Sequence, residues 1–182
     1  MGAPIGISEF DDSFDDDLSL RRAEEQRLGE GILDAQIRDL EPKPAITTAY
    51  SASIGMAIDH MIAHRTGAVL VISRDGRAVG IFTERDVLGR VVAPGVDLDR
   101  PVSEVMTPGP ETLCLDDGIA FALNRMISRG YRHVPIVDRD ERPVAMLSLR
   151  EVVGYIVALL PGRFHNLPPE PRLGIPRHPD GA

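Results

Sequence analysis

Residues 80–86 have the sequence Gly-Ile-Phe-Thr-Glu-Arg-Asp, and residues 145–151 have the sequence Ala-Met-Leu-Ser-Leu-Arg-Glu. Both stretches pass from small and apolar residues to a hydroxyl residue, and both end in an arginine and an acid. A shift of 65 positions aligns residues 40–92 with residues 105–157 without a gap. Since self-similarity at a fixed period marks a repeat architecture, we infer a duplicated unit of about fifty residues. Function is then to be sought where the two copies differ.

The hydrophobic pattern of each copy predicts the order β-α-β-β-α. In the first copy, a short strand precedes a helix capped by Ser51, and two strands flank an Asp-Gly turn, which is a strong hairpin signal. The second copy repeats this order, with Asp116 as the corresponding cap. The predicted elements are strands 46–50, 68–72, 78–82, 111–115, 133–137 and 143–148, and helices 51–65, 84–92, 117–129 and 149–159.

A unit of this size buries too little surface to be stable alone. We therefore predict an α/β (α+β) fold in which two β-α-β-β-α units pack sheet to sheet with pseudo-twofold symmetry and form two clefts. The predicted division of the chain is an acidic disordered tail at 1–17, an N-terminal helix at 18–37, repeat 1 at 38–92, a linker at 93–101, repeat 2 at 102–160 and a Pro-rich C-terminal tail at 161–182.

The composition, 43% hydrophobic and 26% charged, is that of an ordinary globular protein. No apolar run approaches the roughly 18 residues of a membrane span, and a cytoplasmic location is the simplest expectation. The net charge is −8, and residues 9–17 hold six acids and no base. This argues against nucleic acid as a partner, because its binding needs a basic face. The lone Cys114 excludes an internal disulfide and is expected to be a small buried residue.

Three stretches carry a family resemblance: residues 80–86 quoted above, Val-Met-Thr-Pro at 105–108, and Arg-His-Val-Pro-Ile-Val-Asp at 132–138. In this order, inside a gapless repeat, they resemble a tandem pair of CBS domains, the Bateman module, over roughly residues 38–160. The resemblance implies a regulatory module, not an enzyme, that binds an adenosyl ligand such as AMP, ADP or ATP in its clefts. It also implies a homodimer that modulates a partner protein.

The resemblance also implies the residues of the first cleft. Asp86 would accept hydrogen bonds from the ribose hydroxyls, and Thr83 would bond the ribose or the α-phosphate. Both roles suit the chemistry, since a carboxylate makes charge-assisted bonds and a helix start favours an anion. The remaining contacts implied for the adenine and its surroundings are Ile46, Thr47, Gly67, Ala68, Val69 and Ile81.

The same hydroxyl and acidic residues have a second explanation. Thr-x-x-Asp and Ser-x-x-Glu at these helix starts match the capping-box pattern, which stabilises a helix without any ligand. We favour ligand binding for Thr83 and Asp86, and capping for Ser148 and Glu151. The reason is that the longer glutamate side chain moves the carboxylate away from the position that grips a diol.

The basic residues also leave alternatives open. Arg132 and His133 precede the second copy's inner strand and either meet a phosphate or lie at the surface. Arg85 likewise faces a phosphate or solvent. His60 and His64 are four residues apart on a predicted helix, but Arg125 and Arg129 align with them, which indicates a polar stripe rather than a metal site.

The sequence contains no nucleophile–base constellation and no Gly-x-x-x-x-Gly-Lys phosphate loop, so catalysis and a catalytic cofactor are not expected. The alternative to a ligand sensor is a ligand-free scaffold that dimerises and presents its flanking tails to another protein. The pattern names neither the adenosyl ligand nor the regulated partner.

Overall fold

The computed structural model describes residues 31–159. The predicted acidic tail, most of the predicted N-terminal helix and the Pro-rich tail therefore lie outside the described residues. At the start of the described part, residues 31–34 are helical and a 3₁₀-helix follows at Ile37–Leu40.

The described part of the chain has the mixed α and β fold expected from the sequence. The first copy contains β1 (Thr47–Ala49), α1 (Ile54–Ala63), β2 (Ala68–Ile72), β3 (Ala78–Thr83) and α2 (Glu84–Asp86), which continues as a π-helix at Val87–Val92. A 3₁₀-helix (Val102–Glu104) and β4 (Thr107–Pro108) connect the copies. The second copy contains α3 (Ile119–Arg129), β5 (His133–Val137), β6 (Pro143–Ser148) and α4 (Leu149–Ala158).

The strands form two sheets, one with the order β1-β2-β3-β4 and one with the order β5-β6. β1 and β2 are parallel, since α1 crosses over between them, and β2 and β3 form the predicted hairpin. The two hairpins have corresponding registers: Ala68 pairs with Thr83 in the first, and His133 pairs with Ser148 in the second. The predicted strand 111–115 is wrong, because only Leu113 bridges to the hairpin.

Weak pairing of this segment also explains a wrong prediction for the lone cysteine. Cys114 is exposed rather than buried, because it adjoins the single bridge from Leu113 to Ile136 and lies outside any strand.

The caps predicted for α1 and α3 are also wrong. Ser53, not Ser51, caps α1 and accepts a hydrogen bond from the Met56 backbone N–H at 3.2 Å. A turn closed by Ala52 N–H and Ala49 O at 2.9 Å occupies the preceding residues, so that the helix starts later. In the second copy Gly118 is the cap of α3, and Asp116 instead forms an ion pair with Arg38.

The hydrophobic core of each copy includes a segment that lies outside that copy in the sequence. Ala35 and Ile37 precede the first copy but are buried in the core of the second, where Ile119 N–H donates to Ala35 O at 2.9 Å. The connecting segment buries Val102 and Met106 in the core of the first copy, and β4 covers the edge of β3.

A third, smaller cluster joins the two copies. It packs Met146 of the second copy against Ala68, Leu70 and Ile81 of the first. Within residues 31–159, none of the helices has the length and apolar character that a membrane crossing requires.

Candidate functional site

A cleft with a volume of about 1420 Å³ opens between the two copies. It forms where the start of β5 and the start of α4 face the region between α1 and β2, so residues at strand starts and helix starts converge there. Both copies contribute polar, apolar and charged residues. The lining includes Lys43, Ile46, Arg65, Gly67, Glu84, Arg132, His133, Met146, Ser148, Arg150 and Glu151.

Gly67 permits the close approach of the two copies in this cleft. A Cβ atom at this position would lie 3.2 Å from His133 Cε1 and 3.3 Å from the Glu84 carboxyl carbon. These distances are tighter than ordinary van der Waals contacts, so a side chain at residue 67 would push the two groups away. The glycine thus allows an acid of one copy and a histidine of the other to meet.

The charges around His133 have opposing effects on its protonation. Burial lowers the pKa of the half-buried imidazole and is the largest influence; Glu84 and Glu151 raise the pKa, and Arg132 lowers it. The folded protein therefore favours the neutral imidazole.

The cleft as a whole carries more positive than negative charge. Lys43, Arg65, Arg132 and Arg150 line it, as do the two acids Glu84 and Glu151. Such a surplus attracts an anion.

The second hydroxyl–acid pair lies in this cleft and forms a complete capping box. Ser148 N–H and Ser148 Oγ both donate to Glu151 Oε2 at 2.8 Å, and Glu151 N–H donates back to Ser148 Oγ at 3.3 Å. None of residues 31–159 donates a hydrogen bond to the other carboxylate oxygen, Glu151 Oε1. Within the described part of the chain, this carboxylate therefore has one oxygen without a donor.

The first pair forms the same box in a more enclosed setting. Thr83 N–H and Thr83 Oγ1 donate to Asp86 Oδ2 at 3.0 and 2.7 Å, and Asp86 N–H donates to Thr83 Oγ1 at 3.4 Å. The other oxygen, Asp86 Oδ1, accepts from Thr107 Oγ1 at 3.5 Å and lies 3.4 Å from Arg90 Nη1. Asp86 is 7% exposed, and protein groups surround both of its oxygens.

The structure thus brings only some of the sequence-derived site residues together. Ile46, Gly67, Arg132 and His133 share the cleft with Ser148 and Glu151. The remaining predicted site residues, which do not line it, are Thr47, Ala68, Val69, Ile81, Thr83, Arg85 and Asp86.

These other residues have structural surroundings of their own. Ala68 and Ile81 are buried in the cluster that joins the copies, and Val69 is buried in the first copy's core. The carbonyl oxygen of Thr47 lies 3.2 Å from His60 Nδ1, and Arg85 is exposed.

Sequence reasoning missed three residues of these surroundings: Glu84, Arg90 and Thr107. Glu84 and Arg90 differ from their repeat partners, Leu149 and Tyr155, so a systematic comparison of the two copies would have drawn attention to both. Thr107 lies in the motif that connects the copies, but its contact with Asp86 depends on the pairing of β3 with β4.

No cluster of metal-ligating side chains occurs among residues 31–159.

Comparison with known proteins places this geometry in a family. The CBS domain family model matches residues 37–93 and, again, residues 102–158. A curated relative, the 17.7 kDa protein in bps2 3'region of Acidianus ambivalens, is 33% identical over 110 residues, which is 60% of this chain and 62% of that protein. The chain therefore spans slightly less than two thirds of this relative's length.

Two solved structures share the fold. The CBS domain protein of Pyrobaculum aerophilum complexed with AMP is 26% identical with a TM-score of 0.62, over 68% of this chain and 99% of that one. The CBS domain pair of protein MJ0100, in complex with 5'-methylthioadenosine and S-adenosyl-L-methionine, is 25% identical with a TM-score of 0.61, over 66% of this chain and 98% of that one. The two family matches, in tandem and over more than half of the sequence, show that this chain belongs to the CBS domain family.

Proposed function

We propose that the chain is a regulatory module that binds an adenosyl ligand in the cleft between its two copies and modulates a partner protein. The observation that carries this proposal is the composition of the cleft. Arg132 and His133 lie within the same cavity as Glu151, of which one carboxylate oxygen accepts no hydrogen bond from residues 31–159. These are donors for a phosphate and an acceptor for a sugar diol, and the cleft of about 1420 Å³ has space for a ring.

The solved relatives support the choice of ligand class. One of them is complexed with AMP and another with 5'-methylthioadenosine and S-adenosyl-L-methionine. All three molecules contain adenosine, and the surplus of positive charge in this chain's cleft favours the phosphate-bearing member, AMP. The proposed role is non-catalytic.

The test is thermal unfolding of nucleotide-free protein with AMP, ADP, ATP and S-adenosyl-L-methionine. A ligand present at 100 times its Kd should add about 2.7 kcal/mol to the free energy of unfolding. For a chain of this size the midpoint should rise by roughly 5–10 °C. Arg132→Ala should reduce the shift with AMP, whereas Arg139→Ala, at an exposed hairpin turn outside the cleft lining, should not. No shift with any ligand at millimolar concentration would refute the proposal.

A second candidate function is a ligand-free dimerising scaffold, and a specific observation favours it. Both capping boxes are complete without a ligand. In addition, α1 and α3 expose apolar side chains at corresponding repeat positions: Ile62 and Ile127 are 69% and 70% exposed, and Met56 and Phe121 are exposed too. Such patches mark interaction surfaces.

A homodimer through these faces is compatible with either function. Light scattering of the wild type should then give twice the mass of one chain, and Ile127→Glu should give a monomer. If the wild type is a monomer at micromolar concentration, dimerisation is excluded from both proposals.

A further inference from the structure

The two copies differ in how they use the acid of their capping boxes. Glu151 of the second copy uses one carboxylate oxygen in its box, and the other oxygen has no donor among residues 31–159. Asp86 of the first copy uses one oxygen in its box, and Arg90 and Thr107 adjoin the other. The residues that cause this difference, Arg90 and Thr107, do not belong to the hydroxyl–acid motif.

Arg90 is held at Asp86 by a second set of contacts. Its Nη1 atom donates to Met106 O at 2.7 Å and to Val105 O at 3.1 Å, while it lies 3.4 Å from Asp86 Oδ1. One guanidinium therefore joins the acid of the first copy to the backbone of the connecting segment. The contact with Asp86 is an ion pair, whereas the hydrogen bonds of this guanidinium go to the two backbone carbonyl oxygens.

The second copy has no counterpart of this contact. Tyr155 occupies the repeat position of Arg90 and packs against the second copy's core. The segment that pairs with β6 places Lys43 where the first copy has Thr107, as shown by the hydrogen bond from Met146 N–H to Lys43 O. Lys43 lines the cleft.

The helix that carries Arg90 also departs from its repeat partner. Residues 87–92 form a π-helix, whereas the corresponding residues of α4 are α-helical. Short π-helical segments interrupt a helix at a cost and occur often where a side chain has a particular task.

We propose that Arg90 locks the first cleft by occupying Asp86, so that each chain binds one adenosyl ligand, through Ser148 and Glu151. This inference rests on the function proposed above and specifies its stoichiometry. A sugar diol that approached Asp86 would have to displace from this carboxylate a guanidinium that also donates to Val105 O and Met106 O. At Glu151 it would meet an oxygen that no described group occupies.

The contacts of Arg90 also join the first copy to the connecting segment. Val105 and Met106 are both buried in the first copy's core, so Arg90 fixes the segment from which β4 begins.

Titration calorimetry of the full chain with AMP tests the assignment. We expect about one AMP per chain for the wild type. Glu151→Gln, which can still form the capping box, should weaken AMP binding about tenfold or more, because it removes the charge from the acceptor of the diol. The matched variant Asp86→Asn should bind AMP within about twofold of the wild type.

A variant without the contact between Arg90 and Asp86 provides the complementary test. Arg90→Met keeps much of the apolar stem but removes the guanidinium, and it should add a second AMP equivalent per chain. Two equivalents in the wild type, loss of AMP binding in Asp86→Asn alone, or an unchanged stoichiometry in Arg90→Met would each overturn the inference.

A ligand-free measurement separates this inference from the proposed function. If Asp86 and Arg90 act as one unit, thermal unfolding of the variant that carries both Asp86→Asn and Arg90→Met should show a midpoint close to that of the less stable single variant. If the decreases in unfolding midpoint of the two single variants add up in the double variant, Asp86 and Arg90 do not act as one unit and the inference is wrong. If AMP binds to no variant but the decreases in unfolding midpoint are non-additive, the contact between Arg90 and Asp86 is structural. In that case both the one-ligand assignment and the adenosyl function are wrong.

Discussion

Replacement of Gly80 by alanine should destabilise the protein, although alanine is usually the better residue inside a strand. An added Cβ atom would lie 2.2 Å from Met106 Sδ, 3.0 Å from its Cε and 3.1 Å from its Cγ. Met106 is 7% exposed, and its carbonyl accepts a hydrogen bond from Arg90, so the side chain has little room to retreat.

The magnitude follows from these contacts. Overpacking of a core costs about 1–3 kcal/mol, and the flexibility of methionine places Gly80→Ala in the lower part, about 1–2 kcal/mol. The second copy has Ala145 at the same repeat position, and the residue that bridges to it is Pro44.

Urea denaturation measures this cost against a matched control. Gly154→Ala makes the same chemical change at an exposed position of α4 with no atom within 4 Å of the added Cβ. It should stabilise the protein by about 0.5–1 kcal/mol.

A double variant then isolates the contact. Met106→Ala removes the side-chain atoms that the added Cβ at position 80 would strike, so Gly80→Ala should cost less in that background, by about 1 kcal/mol. If Gly80→Ala is as stable as the wild type, or if its cost is the same in both backgrounds, the steric reasoning is refuted.

Three further predictions concern stability. Thr48→Val should stabilise the protein by about 1 kcal/mol in urea denaturation, since Thr48 Oγ1 is buried with no hydrogen-bond partner in the described part of the chain; a loss of more than about 1 kcal/mol would contradict this. The wild type should lose stability as the pH falls below about 6.5. The reason is that the pKa of His133 is lowered in the folded state, so that protonation favours the unfolded state. In thermal unfolding, His133→Gln should lose less stability than the wild type between about pH 7 and pH 5.5. Ser53→Ala should cost about 1 kcal/mol as the loss of a helix cap, whereas Ser51→Ala should be nearly neutral, and equal effects in denaturation would refute the observed cap.

The sequence predicted secondary structure correctly where the hydrophobic pattern and the turn residues indicated the same element. The hairpin strands 68–72 and 133–137 have the predicted bounds, because a run of β-branched and apolar residues next to a turn leaves little choice. Helix starts were less predictable. Ser51 and Ser53 are both suitable caps, and the preceding turn, closed by Ala52, selects the second.

The candidate site was predictable in its residue types but not in its arrangement. The repeat alignment identified Arg132, His133, Ser148 and Glu151, which share the cleft. The family resemblance and the shorter side chain of aspartate favoured Asp86, whereas the surroundings of Asp86 come from Arg90 and from β4. These contacts join residues that the motif does not include.

The sequence by itself determined the duplication, the order of the helices and hairpin strands in each copy and the two hydroxyl–acid motifs, because these depend on local pattern and on chemistry within a few residues. Only the tertiary structure decided that the core of each copy includes a segment from outside its own repeat, and that Met106 lies over Gly80. It also decided that Asp86 meets a guanidinium, while one oxygen of Glu151 has no donor within residues 31–159. The physical reason is that long-range packing sets which groups become neighbours, and a carboxylate's availability depends on those neighbours rather than on its own motif.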